Sequence, residues 1–389
     1  MTILLVLFVL SGAVSAANPN ENFDLNTTFI DNTPHEDVLI DEVSDVNNTT
    51  DDVNIGTYSG LADEIGLGGN ITLDKDIYIY DSGSTIKITK PGIIDGNNTI
   101  IDMNYSNVRI FDIVADGVVL KNINFRNVDL GRNDGAVKFL QSGIVDNCNF
   151  TNITGYQGSA IWMNEGLVTN SNFNNNIAYA ATVFINQGSV INSNFINNTA
   201  YDGGAVGIYY GNIENCNFEN NRAERNGGAA WIIRGSVNNS NFKNNYAGND
   251  GGAIWMHEGS VDNCNAENNF AYTNGGAVYI NKNGAVSNSN LTKNDGIIFG
   301  GALYINNGKV DNCNFDSNNA CGYAGAVYMK NGKVIDSNFN KDTANGYWNV
   351  IFIENEYEVR NCNFNEIDSK YAIGVNPDIN GTIENCNFN

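Results

Sequence analysis

"GGAIWMHEGSVDNCN", residues 251–265, recurs with small changes along the chain. "GSAIWMNEGLVTNSNF" begins at Gly158, "GGAVYINKNGAVSNSN" at Gly275 and "GGALYINNGKVDNCNF" at Gly300. Aligning the residue that closes each "NCNF" or "NSNF" puts Phe125, Phe150, Phe173, Phe195, Phe218, Phe242, Phe315, Phe339, Phe364 and Phe388 in one column. Ala266 and Leu291 substitute in two repeats, and the spacings run from 22 to 25 residues. A period of this size signals stacked repeats rather than a string of independent domains. A leucine-rich repeat would need several Leu per unit. These units instead use Val, Ile, Phe and Ala without a helical period, so each is read as one coil of a parallel β-helix.

Alternation within the unit assigns the faces. The first and third residues after the recurring Ala are aliphatic: Ile161 and Met163, Val183 and Ile185, Ile254 and Met256, Val278 and Ile280, Leu303 and Ile305. Period-two spacing turns them to one side, the interior, together with the anchor residue and the Val five positions before it. Three positions before the anchor stands an asparagine: Asn147, Asn170, Asn192, Asn215, Asn239, Asn263, Asn288, Asn312, Asn361 and Asn385, with Asp336 as the exception. Coils about 4.8 Å apart would let these amides form a ladder along the axis and fix the register.

The residue between the two aliphatics has the opposite facing. In successive coils it reads Lys138, Trp162, Phe184, Gly207, Trp231, Trp255, Tyr279, Tyr304, Tyr328 and Phe352. The alternation predicts an exposed aromatic stripe, flanked by Asn164, Asn186, His257, Asn281 and Asn306. Exposed aromatic surface marks interaction sites, and ring faces stack on the apolar faces of sugars. The same rings could instead stack on one another and stabilise the sheet. Two positions before the anchor, Cys148, Cys216, Cys264, Cys313, Cys362 and Cys386 alternate with serines, which marks a slot for a small buried side chain. Cys362 and Cys386 alone occupy adjacent coils, and Cys321 is left over.

The net charge of −23 disfavours nucleic acid and anionic membranes as partners. Residues 1–16 read as a signal peptide: an apolar run from Ile3 to Leu10, then small residues, though without a preceding Lys or Arg. Residues 17–57 are acidic and lack Lys and Arg, the composition of a disordered leader. The repeat domain is assigned to 58–389, with regular coils expected from near Ile71. No apolar run in the mature chain reaches the roughly 20 residues of a membrane-spanning helix. The sequence stops in mid-coil at Asn389, so a covering partner or a further segment is expected at that end.

The repeated "GGA[ILV]" blocks led by Gly203, Gly251, Gly275 and Gly300, and the "FxxN" tetrads Phe173–Asn176, Phe195–Asn198, Phe218–Asn221 and Phe242–Asn245, resemble the pectate-lyase-like right-handed β-helix superfamily. With the signal peptide, the Asn-rich coils and "IDGNNTI" from Ile94, the chain looks like the adhesin-like surface proteins of methanogenic archaea. The two tetrapeptides are also similar to those of chlamydial polymorphic outer-membrane adhesins. The resemblance spans roughly residues 70–389. It implies an all-β, right-handed parallel β-helix and a secreted or cell-surface adhesin, whose partners would be cell-surface glycans or surface proteins of neighbouring cells. The superfamily also contains polysaccharide lyases and hydrolases, which need paired carboxylates or a cation site. No such pair stands within the coils, there is no metal-ligand cluster, and near-perfect repetition argues against a catalytic centre, so catalytic residues, metal and cofactor are all expected to be absent. A passive stalk within a longer surface protein is the third reading.

Overall fold

The computed structural model describes residues 53–346, 349–367, 369–377 and 379–389. The signal peptide and nearly all of the acidic leader lie outside this range. Over the described residues the chain is an all-β, right-handed parallel solenoid of about 14 turns. Every strand pairing is parallel, and identical columns meet in register: Trp231 opposite Trp255, Phe218 opposite Phe242, Tyr246 opposite Phe270.

One coil serves for the rest. A long bent strand, Ile254–Asp262, is followed by a three-residue strand, Asn265–Glu267, and a two-residue strand, Phe270–Ala271. Two left-handed residues make the intervening corners, Asn263 at φ 50° and Asn268 at φ 55°. Asparagine visits this conformation with little penalty, and so recurs there. The turn back into the next coil begins at Gly275, at φ 62°, where a Cβ would lie 2.2 Å from the Val278 carbonyl oxygen. The bend within the long strand falls at Gly259, where a Cβ would lie 2.0 Å from the Gly235 carbonyl oxygen. Close coil-on-coil approach excludes side chains at both places.

The interior follows the alternation. Ile161, Met163, Val183, Ile185, Ile254, Met256, Val278, Ile280, Leu303 and Ile305 are all buried, as is the valine column from Val145 to Val310. The anchor phenylalanines stack down the axis at 4.7–5.1 Å from Phe125 to Phe242 and from Phe315 to Phe388. Each buried ring contributes about 1.5–3 kcal/mol through removal from water.

The solenoid starts earlier than Ile71. Ile55–Thr57 already pairs with Ile77–Ile79, and a helix, α1 (Tyr58–Ile65), follows it. In this first coil α1 stands where Ile86–Ile88 stands in the second. Its Tyr58, Leu61 and Ile65 join the core, and Thr57 caps it by accepting from the Gly60 N–H at 3.1 Å. A helix at this level covers sheet edge that would otherwise be free to pair.

Candidate functional site

The alternation of the long strand holds on its outer face, and the rings found there form a ladder. Trp231 and Trp255 stack at 5.6 Å, Trp255 and Tyr279 at 6.3 Å, Tyr279 and Tyr304 at 4.8 Å, Tyr304 and Tyr328 at 5.2 Å, and Tyr328 and Phe352 at 5.5 Å. Gly207 interrupts the column. Tyr209 fills the gap, meeting Phe184 edge-on at 5.3 Å and Trp231 at 5.7 Å. At the N-terminal end the Lys138 ammonium lies 4.7 Å from the Trp162 ring, whose indole N–H donates to Gln157 at 3.2 Å.

The expectation of an exposed stripe needs correction. Trp162, Trp231, Trp255 and Tyr279 are half-buried, whereas Phe184 is 3% exposed and Tyr304 and Tyr328 are each 7% exposed. The cause is the turn that leads into each long strand. In the coils of Tyr304 and Tyr328 this turn carries Phe299 and Tyr323 where earlier coils have Asp250 or Asn274, with Ala324 in the place of a glycine, and they fold over Tyr304 and Tyr328. The continuous accessible part of the ladder is therefore Trp231, Trp255 and Tyr279, with Trp162 and Phe352 apart from it.

The outward column two residues after the rings is interrupted: Asn164 and Asn186 stand on the coils of Trp162 and Phe184, Tyr209 and Ile233 follow, and polar side chains resume at His257, Asn281 and Asn306, beside Trp255, Tyr279 and Tyr304. Asn186 donates to Asn164 at 3.2 Å, Asn281 pairs with His257 at 3.1 Å, and Asn306 donates to the Asn281 carbonyl at 2.8 Å. Burial, reinforced by Lys282, holds the His257 imidazole below its usual pKa. The coil between Ala266 and Leu291, one of three with 25-residue spacing, has a bulge: its strand Val278–Ser287 shifts register between Ile280 and Asn283. That bulge helps shape an open recess of about 470 Å³ lined by Lys282, Asn283, Asn306, Asn307, Asn331 and Glu356. Bulges commonly re-aim side chains at functional edges.

Two further outward stacks, one six residues and one four residues after the anchor, have no counterpart in the sequence reading. Tyr156, Tyr179 and Tyr201 stack at 4.6 and 5.4 Å, Tyr246 and Phe270 at 5.4 Å, and the Arg222 guanidinium lies 4.1 Å from the Tyr246 ring. The available signal was positional, since each of the three tyrosines falls six residues after its anchor phenylalanine.

The asparagine columns divide differently from expectation. The column from Asn147 to Asn385 is exposed, at left-handed corners with φ near 50°. Its hydrogen bonding is broken: Asn263 donates to Asn239 and Asn312 to Asn288, but Asn170 and Asn288 turn to Asp146 and Asp262 instead. A surface ladder that runs unbroken lies immediately before the anchor, from Asn124 to Asn363, with amide contacts of 2.5–2.9 Å. The buried ladder lies three residues after the anchor, at the Asn of "FxxN": Asn176, Asn198, Asn221, Asn245, Asn269, Asn294 and Asn318, ending at Asp342.

The cysteine slot is structural. Ser171 donates to the Thr169 carbonyl at 2.7 Å and accepts the Cys148 N–H at 3.1 Å, and the Cys148 thiol donates to the Asp146 carbonyl at 3.3 Å. All seven cysteines are free, and burial pushes the thiols of Cys148, Cys264 and Cys362 up to about 12. Among the described residues no group of three or more His, Cys, Asp or Glu is placed to hold a metal ion, and no helix is long and apolar enough to cross a membrane.

A family model described as "right handed beta helix region" matches residues 115–271. These are the coils that carry Trp162, Trp231 and Trp255. No curated protein and no solved structure matches the chain significantly.

Proposed function

We propose that the protein is a secreted or cell-surface, adhesin-like β-solenoid that binds glycans without catalysis, through the Trp231–Trp255–Tyr279 ladder and the recess beside it. The observation that carries this reading is the half-buried aromatic run next to amide-rich, outward-facing positions. Three stacked rings in succession leave a half-buried apolar strip of ring edges against which a sugar can pack, and Asn281, Asn283, Asn306 and Asn307 offer both donors and acceptors to hydroxyls. Indole and phenol rings already fixed by stacking lose little freedom on binding, which favours a ligand contact over an equally apolar but mobile surface. Sugars bring no formal charge that the acidic chain must repel.

The test is retention of the full chain on a panel of immobilised wall and plant polysaccharides, with soluble oligosaccharides as competitors and the eluates assayed for chain length. Retention that competitors reverse, with ligand chains intact, is the expected result. Shortened chains would mean that the protein is an enzyme. Absence of retention on every polysaccharide would leave surface proteins of neighbouring cells as the partners.

A further inference from the structure

The buried amide column ends on a residue that is not an amide. Within the column each Nδ2 donates twice: Asn245 gives one hydrogen to the Asn269 Oδ1 at 3.0 Å and the other to the Phe218 carbonyl, one coil earlier, at 3.1 Å. Each Oδ1 accepts twice, from the main-chain N–H and the Nδ2 of the coil before. The pattern holds to Asn318, which donates to Asp342 Oδ1 from N at 2.9 Å and from Nδ2 at 2.8 Å, and to the Leu291 carbonyl at 2.8 Å. Oδ1 of Asp342 is thus filled.

Oδ2 of Asp342 is buried and meets no donor. It occupies the place of an amide nitrogen, whose partner at this level of the column is the carbonyl of Phe315. Two oxygens facing each other without a hydrogen repel, and a buried polar atom without a partner costs about 1–3 kcal/mol. A proton on Oδ2 resolves both problems. The next coil places Ile367 in the column, so no second hydrogen is needed. A neutral carboxyl matches this end of the column, taking two N–H groups on Oδ1 and giving one O–H from Oδ2. An amide would keep one N–H without an acceptor.

We propose that Asp342 is a proton-operated terminator of the amide column, which fastens the adjoining coils when protonated and loosens them when ionised. The two N–H groups of Asn318 favour the charged form, but burial outweighs them. Asp316, on the preceding coil, disfavours ionisation, and Lys341, its neighbour in the chain, reaches to Glu366 at 3.2 Å. Burial first, and Asp316 second, push the carboxyl from 3.8 up to about 7. Between these limits the folded protein holds a proton that the unfolded chain has released. Stabilisation from this group is therefore complete below about pH 3.8, falls as pH rises, and is exhausted above about pH 7. One proton corresponds to about a tenfold change in the opening equilibrium per pH unit within that window.

The experiment is amide hydrogen exchange from pH 4 to 9 on the full chain and on Asp342→Asn, corrected for intrinsic exchange rates. The reporters are the main-chain N–H groups of Asn318 and of strand Asn338–Asn340, with Asn221 as internal reference. In the native protein, protection of the reporters relative to Asn221 should fall about tenfold per pH unit from about 4 to 7 and then level off. The variant should lack this slope and the two profiles should cross, the variant being less protected at pH 4 and more protected at pH 9. Parallel profiles, or a slope that persists in Asp342→Asn, would overturn the proposal.

Discussion

Two aromatic columns run along this solenoid, one facing in and one facing out. The inner one is phenylalanine in nearly every coil, its phenylalanines at most 1% exposed from Phe125 to Phe364, with rings stacked within 6° from Phe150 to Phe242. The outer one mixes Trp, Phe, Gly and Tyr, changes from stacked to edge-on packing at Tyr209, and ranges from half-buried to 3% exposed. An interior shared by near-identical coils admits one shape at one spacing, because a gap or an extra atom is felt by both neighbours. An outer column has no such requirement. Its variety shows that ring identity is not dictated by packing alone, which leaves it free to be set by a ligand.

Substitutions can break or sharpen this contrast. Phe218→Ala, in the inner column, should destabilise by about 3–5 kcal/mol, read from denaturant or thermal unfolding, since the neighbouring rings at 4.8 and 4.9 Å cannot both close the cavity. Asn245→Leu should come next, at about 2–4 kcal/mol, because the N–H and Nδ2 of Asn221 lose their acceptor and the Phe218 carbonyl loses its donor. The smallest effect is expected at the exposed corner. Asn263→Ala should cost about 1 kcal/mol for placing a Cβ in the left-handed region, and Asn263→Gly only a few tenths. Equal losses at Asn245 and Asn263 would erase the distinction between the two asparagine columns.

That distinction marks how far the sequence could be read. The facing of Ile254, Met256, Val261 and Phe242 was legible because a strand has period two and the coil repeats it many times over. The roles of Asn263 and Asn245 were not separable, because both recur once per coil and spacing alone does not report burial. The "FxxN" spacing was visible, yet which amide column enters the interior depends on where the left-handed corners turn the chain. Tyr304 and Tyr328 were placed on the correct face, but their covering by Phe299 and Tyr323 comes from a turn, which no alternation rule describes. Helix α1 escaped detection for a related reason. Its eight residues, one of them Gly60, are too few to establish a helical period, and it substitutes for a strand in only one coil.

Whether the outer ladder is a binding face or a second structural column is decided by one paired measurement. Glycan retention and unfolding midpoint would be measured for the intact protein, Trp255→Ala and Phe218→Ala. Trp255→Ala is predicted to lose retention while destabilising by only about 1–2 kcal/mol, well short of Phe218→Ala. Unchanged retention in Trp255→Ala, together with a stability loss as large as that of Phe218→Ala, would contradict the account and make the ladder part of the scaffold.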